Sequence, residues 1–190
     1  MSRKKRTWYP GAQYHVMTRG NRRGDLFRKN EDFMSYLEIV KNIKQRHPFE
    51  LYAFCLMDNH VHLQIRTREI ALWKTMHLIN TLYSKYFNQE YSLEGHVFQG
   101  RYHAVLVETD SYMLETNRYI HQNPVKAKMV KYPSEYRWSS YAEYLDLENS
   151  LVDVDVFLKG FRDLEAFINF SEDSKIYIRD LEIEAIMEDH

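Results

Sequence analysis

One cysteine, four prolines and six glycines in 190 residues close off several classes of protein. Cys55 stands alone, so no intrachain disulfide can form. Its place inside the apolar run Leu51 to Met57 predicts a buried, inert thiol suited to a reducing compartment. That run is the longest apolar stretch, the length of a buried strand and far short of the roughly 20 residues that span a bilayer. The basic N-terminus is followed by no apolar stretch, so no signal peptide is expected. No internal repeat and no low-complexity segment is visible. What remains is 44% hydrophobic and 28% charged, which suits one compact, well-solvated domain, or one domain with an appendage.

The net charge of −1 says nothing of partners, but its distribution does. Arg3, Lys4, Lys5, Arg6, Arg19, Arg22, Arg23, Arg28 and Lys29 load one end with positive charge, whereas the last fifty or so residues are rich in aspartate and glutamate. That asymmetry points to a basic face for a polyanion and an acidic tail elsewhere, with ordinary solvated charge as the bland alternative.

Tyr14 to Thr18 reads as a first strand, and Gly20 to Asp25 as a basic loop. Asn30 is the expected cap of a helix on which Phe33, Leu37, Val40 and Ile43 recur at helical spacing. Phe49 to Met57 and His60 to Thr67 form a hairpin across the turn Asp58-Asn59. Leu72, Met76, Ile79, Tyr83 and Phe87 mark a second helix, and His103 to Glu108 a fourth strand. Asp110 is expected to cap a third helix that stops near Asn123, because Pro124 disfavours helical geometry in the residue before it. The order β-α-β-β-α-β is that of a ferredoxin-like, antiparallel α+β sheet with helices on one face, here followed by one more helix. Tyr132 to Trp138 is read as an aromatic wrap over the core. Residues 1–145 are expected to form one domain with a basic N-terminal arm, and 146–190 an acidic, mainly helical extension.

Two elements carry chemistry. In a strand, His60 and His62 project from one face while Val61, Leu63 and Ile65 take the other. Two neutral imidazoles at that spacing can share a metal ion, although a purely structural pair fits as well. Asp58 or Gln64 could orient a ring. On the third helix Tyr112, Thr116, Tyr119 and Asn123 form a polar stripe. With 15 tyrosines in the chain, periodicity alone does not separate a nucleophile from a tyrosine that packs helix on sheet.

The segments Met57-Asp58-Asn59-His60-Val61-His62-Leu63, Gly95-His96-Val97-Phe98-Gln99-Gly100-Arg101-Tyr102 and Arg118-Tyr119-Ile120-His121-Gln122-Asn123-Pro124-Val125-Lys126 resemble signature blocks of the single-tyrosine HUH transposases. The similarity is greatest to the branch associated with repetitive extragenic palindromes. Pro10 to Val16 and Arg19 to Arg23 are similar too, and the resemblance runs from about Trp8 to Tyr141. It implies a single-strand DNA endonuclease and transposase in which His60 and His62 hold a divalent metal, Mg²⁺ or Mn²⁺, and Tyr119 is the nucleophile. A third ligand one helical turn past the tyrosine would be Asn123, with Gln122 as the alternative. His121 points roughly 160–200° away from Tyr119 on a helix of 3.6 residues per turn and is not assigned.

The implied substrate is single-stranded or hairpin DNA, and the implied setting is the cytoplasm, at the nucleoid. Arg3, Lys4, Lys5, Arg6, Arg19, Arg22, Arg23 and Arg101 are the candidate DNA contacts; Trp8, Tyr9, Phe98 and Tyr102 read equally as stacking surfaces for bases or as core. No membrane partner is expected, and both monomer and homodimer remain open. Two rivals stand beside this reading: a non-catalytic DNA-binding descendant of a transposase, and a zinc-dependent hydrolase completed by His77 or His103.

Overall fold

The structure, a computed structural model, describes residues 7–146 and 150–173. Arg3, Lys4, Lys5 and Arg6, and the acidic residues beyond 173, lie outside the described residues. The elements run β1 (Gln13–Arg19), a 3₁₀ turn (Asn21–Arg23), α1 (Asn30–Arg46), β2 (Phe49–Met57), β3 (His60–Thr67), α2 (Leu72–Tyr91), β4 (His103–Val107) and α3 (Asp110–Lys126). A second 3₁₀ turn (Pro133–Glu135), α4 (Tyr141–Leu145), α5 (Asp155–Leu158) and α6 (Leu164–Glu172) follow. The sheet order is β2-β3-β1-β4, antiparallel throughout, which is the expected ferredoxin-like arrangement.

Period-two alternation divides the strands between two burials. Tyr14 and Val16 of β1 and Val61, Leu63 and Ile65 of β3 join Phe33, Tyr36 and Val40 of α1 and Met76, Ile79 and Tyr83 of α2 in the main core. The opposite face is covered by α3. There Met17, Ala53, Cys55 and Met57 meet Tyr119 and Ile120 in a second, smaller cluster. A β-bulge between Leu51 and Ala53 leaves Tyr52 out of register and so re-aims β2. Leu51 pairs with Ile65, whereas Ala53 pairs with Gln64 and Cys55 with His62, which brings small apolar side chains under α3. Cys55 is buried and free, and burial pushes its thiol well above the ordinary range.

Two caps and one helix end differ from the sequence reading. Lys29 rather than Asn30 is the cap of α1, where the Asp32 carboxylate accepts from the backbone amides of Arg28 at 2.7 Å and Lys29 at 3.1 Å. Thr109 rather than Asp110 caps α3, its hydroxyl accepting from Tyr112 N at 3.1 Å. Helix α3 also runs through Pro124 to Lys126. A proline removes one helical donor, here the one that would reach Ile120 O. The Asn123 amide Nδ2 donates to Tyr119 O at 2.8 Å and lies 3.5 Å from Ile120 O, which offsets that loss within the last turn.

The segment after α3 adds backbone bonds to the free edge of β2, Leu56 N to Trp138 O at 2.9 Å and Ser140 N to Phe54 O at 3.0 Å. Trp138 stacks on Phe33 with centroids 4.5 Å apart, and the Tyr136 hydroxyl donates to Leu56 O at 2.7 Å. Tyr132 stays exposed, so the aromatic wrap starts later than expected. Val152, Val154, Phe157 and Phe167 enter the main core cluster. No helix among the described residues is long and apolar enough to cross a membrane.

Candidate active site

The α3 face of the sheet carries the polar residues. In register, His62 stands opposite Met17, His60 opposite Arg19, and Gln64 opposite His15. His60 and His62 do share a face, their ring centroids 5.0 Å apart. Tyr119 packs above them, its ring 5.8 Å from that of His62 and 5.6 Å from that of His15. It is only 6% exposed, so this member of the polar stripe of α3 is closed down on the sheet. Lys126, two turns on, places its ammonium 4.5 Å from the centre of the same ring.

Each imidazole has one ring nitrogen engaged. His60 Nδ1 lies 2.7 Å from Asn59 Oδ1, and His62 Nδ1 lies 3.0 Å from His15 Nε2. His62 Nε2 is buried and has no partner. Burial pushes His60 down to about 4, aided by the nearby charge of Arg19, and His15 to about 3. Burial first, then the charges of His60, His15, Arg19 and Lys126, take His62 well below its ordinary value. All three rings are therefore neutral at neutral pH, the form that binds metal.

A divalent cation fits this donor set. A buried ring nitrogen with no protein partner is costly unless a ligand takes it, and His62 Nε2 is such an atom. Among the described residues no group of three His, Cys, Asp or Glu side chains could hold a metal. Within the described residues, the further donors this leaves are amides, hydroxyls, backbone carbonyls, water or the phosphate of a substrate. Of the two amide candidates, Gln122 is buried on the far side of α3 and donates to Ser171 O of α6 at 2.6 Å. Asn123 is half-buried and spends its nitrogen on the helix end. His121 also points away, as expected, with Nε2 2.8 Å from Ser140 Oγ.

The ring partners differ from those the sequence suggested. Gln64 donates to Met113 O at 2.9 Å and so ties β3 to α3, while Asp58 supplies its backbone carbonyl to Leu26 N and Phe27 N. Asn59, read only as a turn residue, and His15, unassigned within a similar block, take the orienting places. For His15 the available signal was its parity with Met17 on β1. Its closeness to His62 is a diagonal relation between strands 47 residues apart.

The basic loop borders the His60 end of the sheet. Gly20 N donates to Asn59 O, Asn21 N to Val97 O and Gln99 N to Arg19 O, all within 2.9 Å. A Cβ at Gly20 would lie 1.9 Å from Gly24 O, so only glycine permits this turn. Arg22 and Arg23 are exposed and take positive φ of 55° and 59°, a conformation that costs about 1–3 kcal/mol in a non-glycine residue. Arg101 is exposed as well. Of the aromatic candidates, Phe98 and Tyr102 belong to the core, whereas Trp8 and Tyr9 are 39% and 48% exposed. His77 is exposed on α2, on the far side of the sheet from His62.

None of the curated proteins compared with the chain matches it. Among solved structures, that of the REP-associated tyrosine transposase bound to a REP hairpin shares the fold. Its TM-score is 0.66 at 20% identity, over 76% of this chain and 86% of that one. A second structure, from Deinococcus radiodurans, is 16% identical over 64% of this chain and 97% of that one. Its TM-score of 0.44 is too slight to bear on the fold. The family described as "Transposase IS200 like" matches residues 9–123, well over half of the 190 residues and a span that holds β1 through Tyr119. The chain belongs to the IS200-like transposase family.

Proposed function

We propose that this transposase cleaves and rejoins single-stranded or hairpin DNA through a covalent link to Tyr119, at a divalent metal site built on His60 and His62. The observation that carries the reading is the convergence, within one chain, of the Tyr119 ring on the His15–His62 pair at 5.6 and 5.8 Å. The meeting of all three groups within one chain supports catalysis at that chain's own site. Asn123 is the proposed third ligand. It lies one turn beyond Tyr119 on α3, whereas the Gln122 amide is turned toward α6.

In the forward step the Tyr119 oxygen attacks a backbone phosphorus. The bond from phosphorus to the 3′ oxygen breaks, that oxygen leaves as a 3′-hydroxyl with one proton, and the 5′-phosphate becomes a tyrosyl ester. A second 3′-hydroxyl reverses the step, so strands exchange with no net loss of phosphodiester bonds and no nucleotide triphosphate. Mg²⁺ or Mn²⁺, when bound, withdraws charge from the scissile phosphate and offsets what develops on its oxygens. Neutral His60 and His62 keep their ring nitrogens available to hold it. Arg19, beside His60, and Lys126, over the Tyr119 ring, add positive charge where the phosphate must lie. Arg22, Arg23 and Arg101 are the proposed phosphate contacts along the strand, and Trp8 and Tyr9 the exposed rings on which unpaired bases can stack. The hairpin named for the structural relative is the first substrate to try, and a cytoplasmic protein working at the nucleoid is the corresponding cellular expectation.

The test is incubation of the full chain with 3′-labelled, hairpin-forming oligonucleotides and Mn²⁺. A labelled, denaturation-resistant protein band is expected, and it should be absent with Tyr119→Phe and with His60→Ala. A band that survives Tyr119→Phe would remove the assigned nucleophile. DNA binding without any adduct would favour the non-catalytic alternative.

A further inference from the structure

We propose that Asn59 and His15 are positioning residues that commit His60 and His62 to present Nε2 to the metal. The proposal rests on the assignment of His60 and His62 as metal ligands and adds two residues to it.

At His60 the hydrogen-bond pattern leaves one tautomer. The Asn59 amide nitrogen donates to Arg23 O at 3.2 Å, which fixes its other terminal atom as oxygen. That oxygen can only accept, so the 2.7 Å contact requires a proton on His60 Nδ1. The lone pair of the neutral ring is then at Nε2.

At His62 the geometry offers two states and the metal selects one. A single proton lies between His62 Nδ1 and His15 Nε2. If His15 donates it, His62 carries its own proton at Nε2 and cannot ligate. If His62 donates it, His62 Nε2 is a free lone pair and His15 carries its proton at Nδ1. His15 Nδ1 and Gln64 Oε1 are both buried without partners, and they belong to directly opposed residues of β1 and β3. With His15 protonated at Nδ1 the two residues offer a donor and an acceptor, whereas with Nδ1 bare both offer only acceptors. The ligating state thus gives two neighbouring residues complementary polar atoms, and it leaves the unpartnered His62 Nε2 as the lone pair that a cation takes. Partners that hold the non-ligating nitrogen in this way commonly change metal affinity by about 10- to 100-fold.

Two measurements test this on the full-length chain. In the wild type with saturating Mg²⁺, long-range ¹H–¹⁵N spectra of the histidine rings should show His60 and His62 both protonated at Nδ1 and His15 protonated at Nδ1. Protonation of His62 at Nε2, or of His60 at Nε2, overturns the proposal, and this arm needs no variant to fold. In Mn²⁺ titrations read by electron paramagnetic resonance, His15→Phe and Asn59→Ala should each weaken binding by about 10- to 100-fold. His15→Gln and Asn59→Asp, which keep an acceptor in place, should recover most of that loss. If all four variants bind Mn²⁺ within twofold of the wild type while His62→Ala does not, the positioning roles fail and the metal site stands. If His60→Ala and His62→Ala also bind as the wild type does, the metal site itself is wrong.

Discussion

The two faces of the four-stranded sheet are both buried, but they are buried in different ways. Under α1 and α2, Val16, Val61, Leu63 and Ile65 are at most 1% exposed and meet other apolar side chains, so dispersion and loss of hydrated apolar area settle that face. Under α3, His15, His62 and Gln64 are fully buried, yet each keeps a ring or amide atom with no partner. Native interiors rarely leave such atoms unmet. One face is filled mainly by apolar contact; the other gathers unpartnered imidazole and amide atoms in one place. The same alternation along β1 and β3 makes both, which is how a stable core and a reactive surface are kept one residue apart in sequence.

The largest effects should separate the faces. Leu63→Ala empties part of the main core and should destabilise the chain by about 2–5 kcal/mol. Its neighbour His62→Ala should cost about 1 kcal/mol, the loss of one buried hydrogen bond, while abolishing the Mn²⁺-dependent DNA adduct. Urea unfolding and the adduct assay on the two variants check this, and equal losses of stability would break the comparison.

A second effect is pH. Of the buried histidines, His15 and His62 lie on the α3 face and His121 behind α3. Burial holds His15 and His121 at about 3 and, with the charge of Arg19, His60 at about 4. Unfolded histidine titrates near 6.5. Between those values the unfolded chain binds more protons than the folded one, so this contribution is whole above pH ~6.5 and is lost as pH falls toward 4. Urea midpoints should be level from pH 8 to 6.5 and then decline, at no more than about 1.4 kcal/mol per pH unit for each histidine. A flat profile down to pH 4.5 would mean these rings are not buried neutral.

The smallest effect is at the basic turn, where Arg23 sits at φ 59°. Arg23→Gly relieves that conformation and should stabilise the chain by about 1 kcal/mol. It should also weaken binding of single-stranded DNA and flatten its salt dependence by about 0.7 in log–log slope, the share of one neutralised phosphate. Higher stability with lower affinity would mark this strain as functional; unchanged DNA binding would remove Arg23 from the interface.

Much of this was legible in the chain itself. Alternation placed β1 to β4 to within a residue at each end, and the apolar stripe Leu72, Met76, Ile79, Tyr83 and Phe87 identified the buried side of α2. Period two put His60 and His62 on one face. Less legible were features that depend on compensation. Pro124 reads as a stop, yet α3 passes through it because the Asn123 side chain supplies a donor where the proline has none. Phe98 and Tyr102 read equally as stacking surfaces or as core, and the bridge from Gly20 to Phe98 folds that loop inward.

The sequence by itself determined which residues alternate, where helices form, and that two imidazoles share a side of one strand, because these follow from backbone periods only a few residues long. Tertiary structure alone decided that Tyr119 lies closed over them, that His15 meets His62 across a strand register, and that Asn59 faces His60 while held from the basic turn. Those relations join positions up to dozens of residues apart, and no local period encodes them; strand pairing and the packing of α3 on the sheet do.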